Sequence, residues 1–205
     1  MTQIHHSTIS GIPQHILRRN EYFIKYIENH KKSKPKILDV GCGWGILEYN
    51  YPELYIVSLD LQPPIRKIKR YVQANIENAL EFKNETFDMI FAVEVIEHIH
   101  NQAQFIKECA RVLKPGGVLI LSTPDIGVLK SRLVYLFTGK FIYFLTKADF
   151  KDHVQPLFKW QLENFIRDGT LKLTHTQKII GNRRVFILRK CQKPPVKDRW
   201  HKLPG

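Results

Sequence analysis

The feature that most constrains the fold of this chain is a short apolar run that leads directly into three closely spaced glycines. The run and its turn read Ile-Leu-Asp-Val-Gly-Cys-Gly-Trp-Gly from Ile37 to Gly45. Such a run is typical of a buried strand, and glycine lets the following backbone turn sharply and approach a ligand. Open α/β sheets bind ligands at the carboxyl ends of their strands. We therefore expect a ligand site directly after this strand.

Short β-rich runs alternate with helix-capable segments after a predicted helix from Pro13 to about His30. The predicted strands are Lys36–Val40, Tyr55–Leu59, Tyr71–Ala74, Phe87–Val93 and Val118–Ser122. Strands that alternate with helices indicate a parallel, doubly wound sheet. Two later runs, Leu171–Ile180 and Arg183–Lys190, are joined by Gly181-Asn182, which indicates an antiparallel hairpin. The predicted fold is α/β, with a mostly parallel seven-stranded sheet that ends in this hairpin.

Length and composition limit the number of domains, the kinds of site and the location that we expect. A chain of 205 residues is long enough for one well-buried domain, and we expect a single domain over 1–190, with an insert at 126–150 and a mobile basic tail at 191–205. The cysteines lie far apart and indicate neither a zinc site nor a disulfide framework. No secretory signal or membrane-spanning run is recognisable. We expect a cytoplasmic protein, at most peripheral to the inner face of the membrane.

The charge of the chain is unevenly distributed. Lys and Arg number 32 against 19 Asp and Glu, a net charge of +13, yet residues 37–129 carry −4 and residues 183–205 carry +7. A basic excess suggests an anionic partner such as lipid, nucleic acid or a phosphorylated substrate. The acidic middle suits a nucleotide-type ligand that carries positive charge of its own.

The glycine turn differs from the turn that binds a dinucleotide. A dinucleotide fold has GxGxxG at the start of a helix whose N-terminus holds the pyrophosphate. Here the spacing is GxGxG, Glu48 stands three residues after Gly45, and Asp39 precedes the turn, all of which disfavour a phosphate. Asp60 ends the second predicted strand, where an acid accepts hydrogen bonds from the hydroxyls of an adenosine ribose. The two aspartates favour a ligand with a ribose and a cationic group.

Residues 37–124 resemble the class I S-adenosylmethionine (SAM)-dependent methyltransferases, especially the branch with the ubiquinone-type O-methyltransferases. Besides the glycine turn, the matching segments are Phe87–Ile90, Glu94–His98 and Val112–Leu119. The resemblance implies a Rossmann-like doubly wound fold, methyl transfer, SAM as the cofactor and no metal.

By this resemblance, residues after the first four strands contact the cofactor: Asp39, Gly41, Cys42, Gly43, Asp60, Leu61, Asn75, Ile76 and Glu94. The glycine turn would hold the methionine part of SAM, Asp60 the ribose, and Asn75 with Ile76 the adenine edge. The family usually has Asp where Asn75 stands. An amide oxygen still accepts from the adenine amino group, so we expect weaker adenine recognition rather than none.

Transfer to a hydroxyl requires that one proton be removed, because SAM already carries an electrophilic methyl group. The candidate catalytic residues are Glu94, His98 and His153, with Glu97 considered beside them. Histidine is favoured because its ordinary pKa lies near neutrality. Two other roles stay open: Glu97 and His98 as a brace for a helix that begins near Gln102, and His153 as a solvated loop residue.

The insert at 126–150 bears on the acceptor. Its apolar residues follow helical spacing, aromatic residues are frequent, and four basic residues precede its first acid, Asp149. Such a segment lies on an anionic membrane, forms a lid over an apolar acceptor, or covers the sheet edge. We expect transfer to oxygen of a small, quinone-like or lipid-linked acceptor. The alternatives are an RNA methyltransferase, a SAM-binding scaffold without catalysis and, less favoured, a dehydrogenase.

Overall fold

The computed structural model describes residues 12–64, 66–77, 79–144 and 153–192, and a seven-stranded sheet runs through them. The strands are β1 (Lys36–Val40), β2 (Tyr55–Asp60), β3 (Tyr71–Gln73), β4 (Phe87–Val93), β5 (Leu113–Pro124), β6 (Leu171–Ile179) and β7 (Arg183–Lys190). The α-helices are α1 (Gln14–His30), α2 (Ile46–Asn50), α3 (Gln102–Val112), α4 (Leu129–Thr138) and α5 (Lys159–Phe165). Short 3₁₀ helices span Lys31–Ser33, Ile96–His98 and Ile142–Phe144.

The strand order confirms the predicted fold. The sheet runs β3-β2-β1-β4-β5-β7-β6. The five strands β1 to β5 pair in parallel, whereas β7 is antiparallel to both β5 and β6. The chain reverses its winding direction between β1 and β4, which makes their carboxyl ends the switch point where open α/β sheets bind ligands.

Helices cover both faces of the sheet, which explains why β1 and β4 are almost continuously apolar. On one face, Phe23 and Ile27 of α1 are fully buried, and the ring of Phe23 lies 6.2 Å from that of Phe91 in β4. On the other face, Phe105 and Ile106 of α3 belong to a second buried cluster. This packing holds α1 across the carboxyl end of β1.

The connections between early strands are less helical than predicted. The described residues between β2 and β3, and between β3 and β4, contain no helix. The first of these connections contains Pro63-Pro64. Proline lacks the backbone N–H and disfavours helical backbone in the residue before it, which accounts for the difference there.

Strand β5 begins earlier than predicted. Residues Lys114–Gly117 contain a proline and two glycines, which favour a helix end and a turn, but α3 already ends at Val112 and the next residue is extended. The pairing of β4 with β5 jumps from Leu113 to Val118, so the glycine-containing segment forms an irregularity at the start of the strand. The strand therefore begins at Leu113 and not at Val118, and its predicted start was wrong.

The predicted helical insert contains α4, which ends at Thr138 and is followed by Gly139 in a left-handed conformation with φ +68°. Residues 145–150 of the insert, with Asp149, lie outside the described residues, as do residues 151–152 and the tail residues 193–205. Among the described helices, none is long and apolar enough to cross a membrane.

Candidate cofactor and acceptor site

Backbone hydrogen bonds and left-handed residues shape the glycine turn after β1. The N–H groups of Gly41 and Cys42 both donate to the carbonyl oxygen of Leu59, at 2.8 and 3.1 Å. Gly41 and Gly43 have φ values of +65° and +47°, a region that favours glycine. A Cβ at Gly41 would lie 2.4 Å from Val95, whereas one at Gly43 would meet no atom within 4 Å. Gly41 is needed for packing, and Gly43 keeps the space above the turn open.

A narrow cavity of about 40 Å³ lies at this turn, between β1 and α1. Its walls include residues from the turn and from the facing side of α1, among them Arg19, Asn20, Asp39, Gly41, Cys42 and Gly43. Asp39, Gly41 and Gly43, which the resemblance assigns to the methionine part of SAM, thus line one cavity. A site that encloses a whole small ligand has roughly 300 Å³ or more. A nucleoside bound here would therefore lie outside the cavity, along the sheet edge.

Burial changes the electrostatics of the turn. The side chain of Asp39 is almost fully buried. Burial, with smaller contributions from the charges of Asp60 and Glu48, raises the pKa of Asp39 to about 8. A cation placed beside Asp39 would favour its ionised form again. Burial also raises the pKa of the Cys42 thiol, so at neutral pH this group is protonated and is not a nucleophile.

Asp60 links β2 to the glycine turn. Its Oδ2 accepts a hydrogen bond from the N–H of Gly43 at 2.8 Å, and its Oδ1 accepts one from the N–H of Gln62 at 3.2 Å. A carboxylate has about four acceptor positions, so Asp60 retains capacity for the hydroxyls of a ribose. The next residue, Leu61, is 54% exposed and offers apolar surface at the same edge. This exposed leucine suits contact with a planar base.

Asn75 and Ile76 follow β3, as predicted, and the end of β3 pairs with β2 at Asp60. The Asn75 amide oxygen accepts the N–H of Glu77 at 3.0 Å and so closes a local turn. Ile76 packs partly buried against the core. Among the described residues, no hydrogen bond joins either one to Asp60. Their role at the adenine stays a prediction.

Glu94 lies at the carboxyl edge directly after β4 with φ +56°, a strained conformation for a residue other than glycine. Its Oε1 accepts the hydroxyl of Ser122 at 2.7 Å, and its Oε2 accepts Nε–H of Arg183 at 2.6 Å. Both oxygens are thus engaged, an arrangement that suits a fixed charge better than a proton acceptor. A catalytic role of Glu94 stays a prediction.

The structure brings His98 and His153 together although 54 residues separate them. Their rings stack with centroids 4.9 Å apart. The N–H groups of Val154 and Gln155 both donate to the carbonyl oxygen of Glu97, at 2.8 and 3.2 Å, and this fixes the segment after the insert. Helix α3 begins at Gln102, as predicted. The backbone of Glu97 therefore holds the segment that carries His153, and the roles of the two imidazoles stay predictions.

The buried carboxyl of Glu97 lies beside the two imidazoles. Burial, followed by the charge of Glu94, raises the pKa of Glu97 to about 8. Ligand atoms of Glu97, His98 and His153 lie within 4.8 Å of one another, a spacing that would suit a metal ion. Our expectation that the protein uses no metal stays a prediction.

The sequence analysis missed Arg19 and Arg183. The Nε of Arg19 is buried and has no hydrogen-bond partner among the described residues. A sequence signal for Arg19 existed, because it lies three residues after Ile16 and four before Phe23, on the buried face of α1. Arg183 had no local signal. Its contact with Glu94 joins residues that are 89 positions apart.

A second and larger cavity of about 370 Å³ lies beyond the end of β5, beside α5. Its apolar lining includes Ile126, Leu157, Phe158 and Trp160. Asp125 also lines it, and its carboxylate accepts Nη2–H of Arg184 at 2.9 Å. Apolar walls with a few fixed charges are typical of small-molecule sites.

Known proteins are similar in sequence to the part of the chain that contains this site. Residues 38–121 match the family model described as a methyltransferase domain. The mitochondrial ubiquinone biosynthesis O-methyltransferase of Rattus norvegicus is 35% identical over 133 residues, 55% of this chain and 37% of that protein. The ubiquinone biosynthesis O-methyltransferase of Xanthomonas oryzae pv. oryzae (strain PXO99A) is 34% identical over 153 residues, 67% of this chain and 63% of that protein.

Solved structures share the fold. The PH0226 protein from Pyrococcus horikoshii OT3 superimposes with a TM-score of 0.63 at 18% identity, over 87% of this chain and 92% of that chain. The chain spans 37% and 63% of the two curated relatives. The matched residues 38–121 contain the glycine turn, Asp60 and the segment from Glu94 to His98. Over this domain, the chain is therefore similar to the class I SAM-dependent methyltransferases.

Proposed function

We propose that the protein transfers a methyl group from SAM to an oxygen atom of a small, quinone-like or lipid-linked acceptor. The cavity at the glycine turn carries this proposal. It offers Asp39 for an ammonium group, Arg19 for a carboxylate and open space above Gly43, and the methionine part of SAM bears both charges. The relatives, named as ubiquinone biosynthesis O-methyltransferases, support oxygen as the target and a quinone-like acceptor.

The residues of the turn have separate tasks in this proposal. SAM, when bound, supplies an electrophilic methyl group on a positively charged sulfur. Arg19 binds the carboxylate through its planar guanidinium, which favours bidentate pairing. Asp60 accepts hydrogen bonds from the ribose hydroxyls and holds the N–H of Gly43 in place. Binding and alignment by these groups supply much of the rate enhancement.

His153 accepts the proton of the acceptor hydroxyl in this proposal. It lies beyond the carboxyl edge, partly buried, and stacks on the exposed His98. His153→Ala should leave S-adenosylhomocysteine (SAH) binding unchanged and slow methylation of a soluble catechol by about 10²-fold or more. His175→Ala, an exposed histidine on β6, is the matched control. Equal turnover in the two variants would exclude His153 as the base.

Calorimetric titration with SAM, SAH and NADH tests the cofactor assignment. The protein should bind SAM and SAH and not NADH. Asp60→Ala should weaken SAH binding by about tenfold or more, because charge-assisted hydrogen bonds to the ribose hydroxyls are lost. Glu53→Ala, an exposed acid before β2, is the control. Binding of NADH alone would indicate a dehydrogenase.

Two results would support the remaining alternatives, and a third would contradict the ribose contact. SAH binding without turnover on any catechol would favour a scaffold. Binding of RNA with a steep dependence on salt would favour an RNA methyltransferase, because counterion release dominates such binding. An unchanged SAH affinity in Asp60→Ala would contradict the proposed ribose contact.

A further inference from the structure

Three charged side chains from distant parts of the chain meet beside the cofactor cavity. Glu94 follows β4, Arg19 lies on α1, and Arg183 begins β7. Arg183 forms an ion pair with Glu94 at 2.6 Å. The charges of Glu94 and Arg183 both act on the guanidinium of Arg19. Two arginines therefore lie within electrostatic reach of one glutamate.

Glu94 is held by partners other than Arg19. Its two carboxylate oxygens accept hydrogen bonds from Ser122 and from Arg183. Its own N–H donates to the backbone oxygen of Ser122 at 3.2 Å, which fixes the point where the side chain leaves β4. The side chain is only 8% exposed. The carboxylate is therefore satisfied without Arg19.

Arg19 differs from the other two members of this cluster, because no hydrogen bond of its side chain is seen among the described residues. Its Nε is buried and has no hydrogen-bond partner among the described residues. A partly buried guanidinium beside a carboxylate gains from a bidentate pair, and an unpaired buried charge is costly. Arg183 occupies one of the oxygens that such a pair with Glu94 would need.

We propose that Arg183 is a positioning residue that keeps Glu94 away from Arg19 and so leaves Arg19 available for the carboxylate of the cofactor. This role rests on the proposed function, in which Arg19 binds that carboxylate. Arg183 is not among the residues that line the cofactor cavity, so it acts through Glu94. Arg183 belongs to the hairpin of β6 and β7. Through this residue, the hairpin keeps the positive charge of Arg19 unpaired at a cavity on the other side of β5.

The test compares two ligands by calorimetric titration of the full chain. SAH carries the carboxylate, whereas 5′-methylthioadenosine lacks the amino-acid end. Arg183→Ala should release Glu94 to pair with Arg19. The affinity for SAH should fall by about tenfold or more, because a charged partner is lost from the ligand, while that for methylthioadenosine stays within about twofold.

Rescue separates this competition from a general loss of structure. In the double variant Arg183→Ala/Glu94→Gln, the amide does not neutralise Arg19, so most of the SAH affinity should return. Arg184→Ala is the matched control, since Arg184 pairs with Asp125 instead, and both ligands should bind it as they bind the unaltered protein.

The outcomes distinguish this inference from the proposed function. Equal losses for both ligands in Arg183→Ala, no loss for either, or failure of rescue would overturn the role of Arg183. Arg19→Ala tests the proposed carboxylate site by itself and should weaken SAH alone. If Arg19→Ala weakens SAH and Arg183→Ala does not, only the inference on Arg183 fails. If Arg19→Ala leaves SAH affinity unchanged, the carboxylate site of the proposed function fails.

Discussion

At the scale of single residues, the buried carboxyl of Asp39 links cofactor binding to pH. Its pKa is raised from 3.8 to about 8 by burial and by neighbouring acids, so the group is mostly protonated in the free protein at neutral pH. A bound ammonium favours the ionised form, and binding then releases a proton. The affinity for SAH should therefore rise as the pH is raised from about 6 to 7.5.

Titrations in phosphate and in Tris at pH 7 measure this proton release, because the two buffers differ in their enthalpy of protonation. Asp39→Asn removes the titrating group and keeps the shape of the side chain. We expect the pH dependence to disappear in this variant and the affinity at pH 7.5 to fall by about tenfold. A variant that retains the full pH dependence would show that another group takes up the proton.

At the scale of elements, helix α4 presents its apolar side to solvent. Four apolar residues are between 49 and 83% exposed: Leu129, Leu133, Leu136 and Phe137. Because each residue turns an α-helix by about 100°, these four share one side, and the buried Ser131 lies on the opposite side. Lys130 and Arg132 flank the apolar side. Apolar surface between cations fits an anionic bilayer.

A row of aromatic rings connects α4 to the larger cavity. Tyr135 stacks on Phe141 with centroids 4.7 Å apart, Phe141 meets Phe158 at 5.8 Å, and Phe158 meets Trp160 at 6.2 Å. Phe158 and Trp160 line the cavity beyond β5. If α4 rests on a bilayer, the row leads from the membrane surface to this cavity. The arrangement supports a lipid-linked acceptor.

Sedimentation with phosphatidylcholine vesicles, with and without phosphatidylglycerol, tests this role of α4. The protein should favour the anionic vesicles, and Leu136→Ser/Phe137→Ser should weaken binding by about tenfold, since two exposed apolar side chains no longer enter the bilayer. Lys130→Glu/Arg132→Glu should remove the preference for phosphatidylglycerol. Tyr55→Ser, an exposed aromatic at the start of β2, should change nothing. Equal binding by all variants would place any membrane contact elsewhere.

At the scale of the whole molecule, local sequence patterns predicted the strands and the turn, because short segments of the chain determine these features. The bounds of β1 and β4 and the glycine turn agree with the sequence analysis, because buried strands leave continuous apolar runs. The stacking of His153 on His98, and the pairing of Arg183 with Glu94, join residues tens of positions apart. Such contacts depend on the order of the strands in the folded sheet, which brings distant segments together. A local sequence pattern does not contain that information.

Two buried acids make the stability of the free protein depend on pH in a direction opposite to that of a paired carboxylate. The pKa values of Asp39 and Glu97 are raised to about 8, from 3.8 and 4.5. Between about pH 5 and 8 the folded state keeps protons that the unfolded state has lost, so the free energy of unfolding falls as pH rises. Glu28, Glu77 and Glu108, whose pKa values are lowered, act below this range.

Thermal unfolding of the free protein from about pH 5.5 to 8 should therefore show a falling melting temperature. Asp39→Asn and Glu97→Gln should each reduce the slope, because an amide carries no proton to lose and stays neutral in the buried site. The exposed acid variant Glu53→Gln should leave the slope unchanged.

Saturating SAH should flatten the dependence of the melting temperature on pH in the unaltered protein, since a bound ammonium stabilises the ionised form of Asp39. It should have no such effect in Asp39→Asn. A melting temperature that rises with pH over this range would show that neither acid is held in its neutral form.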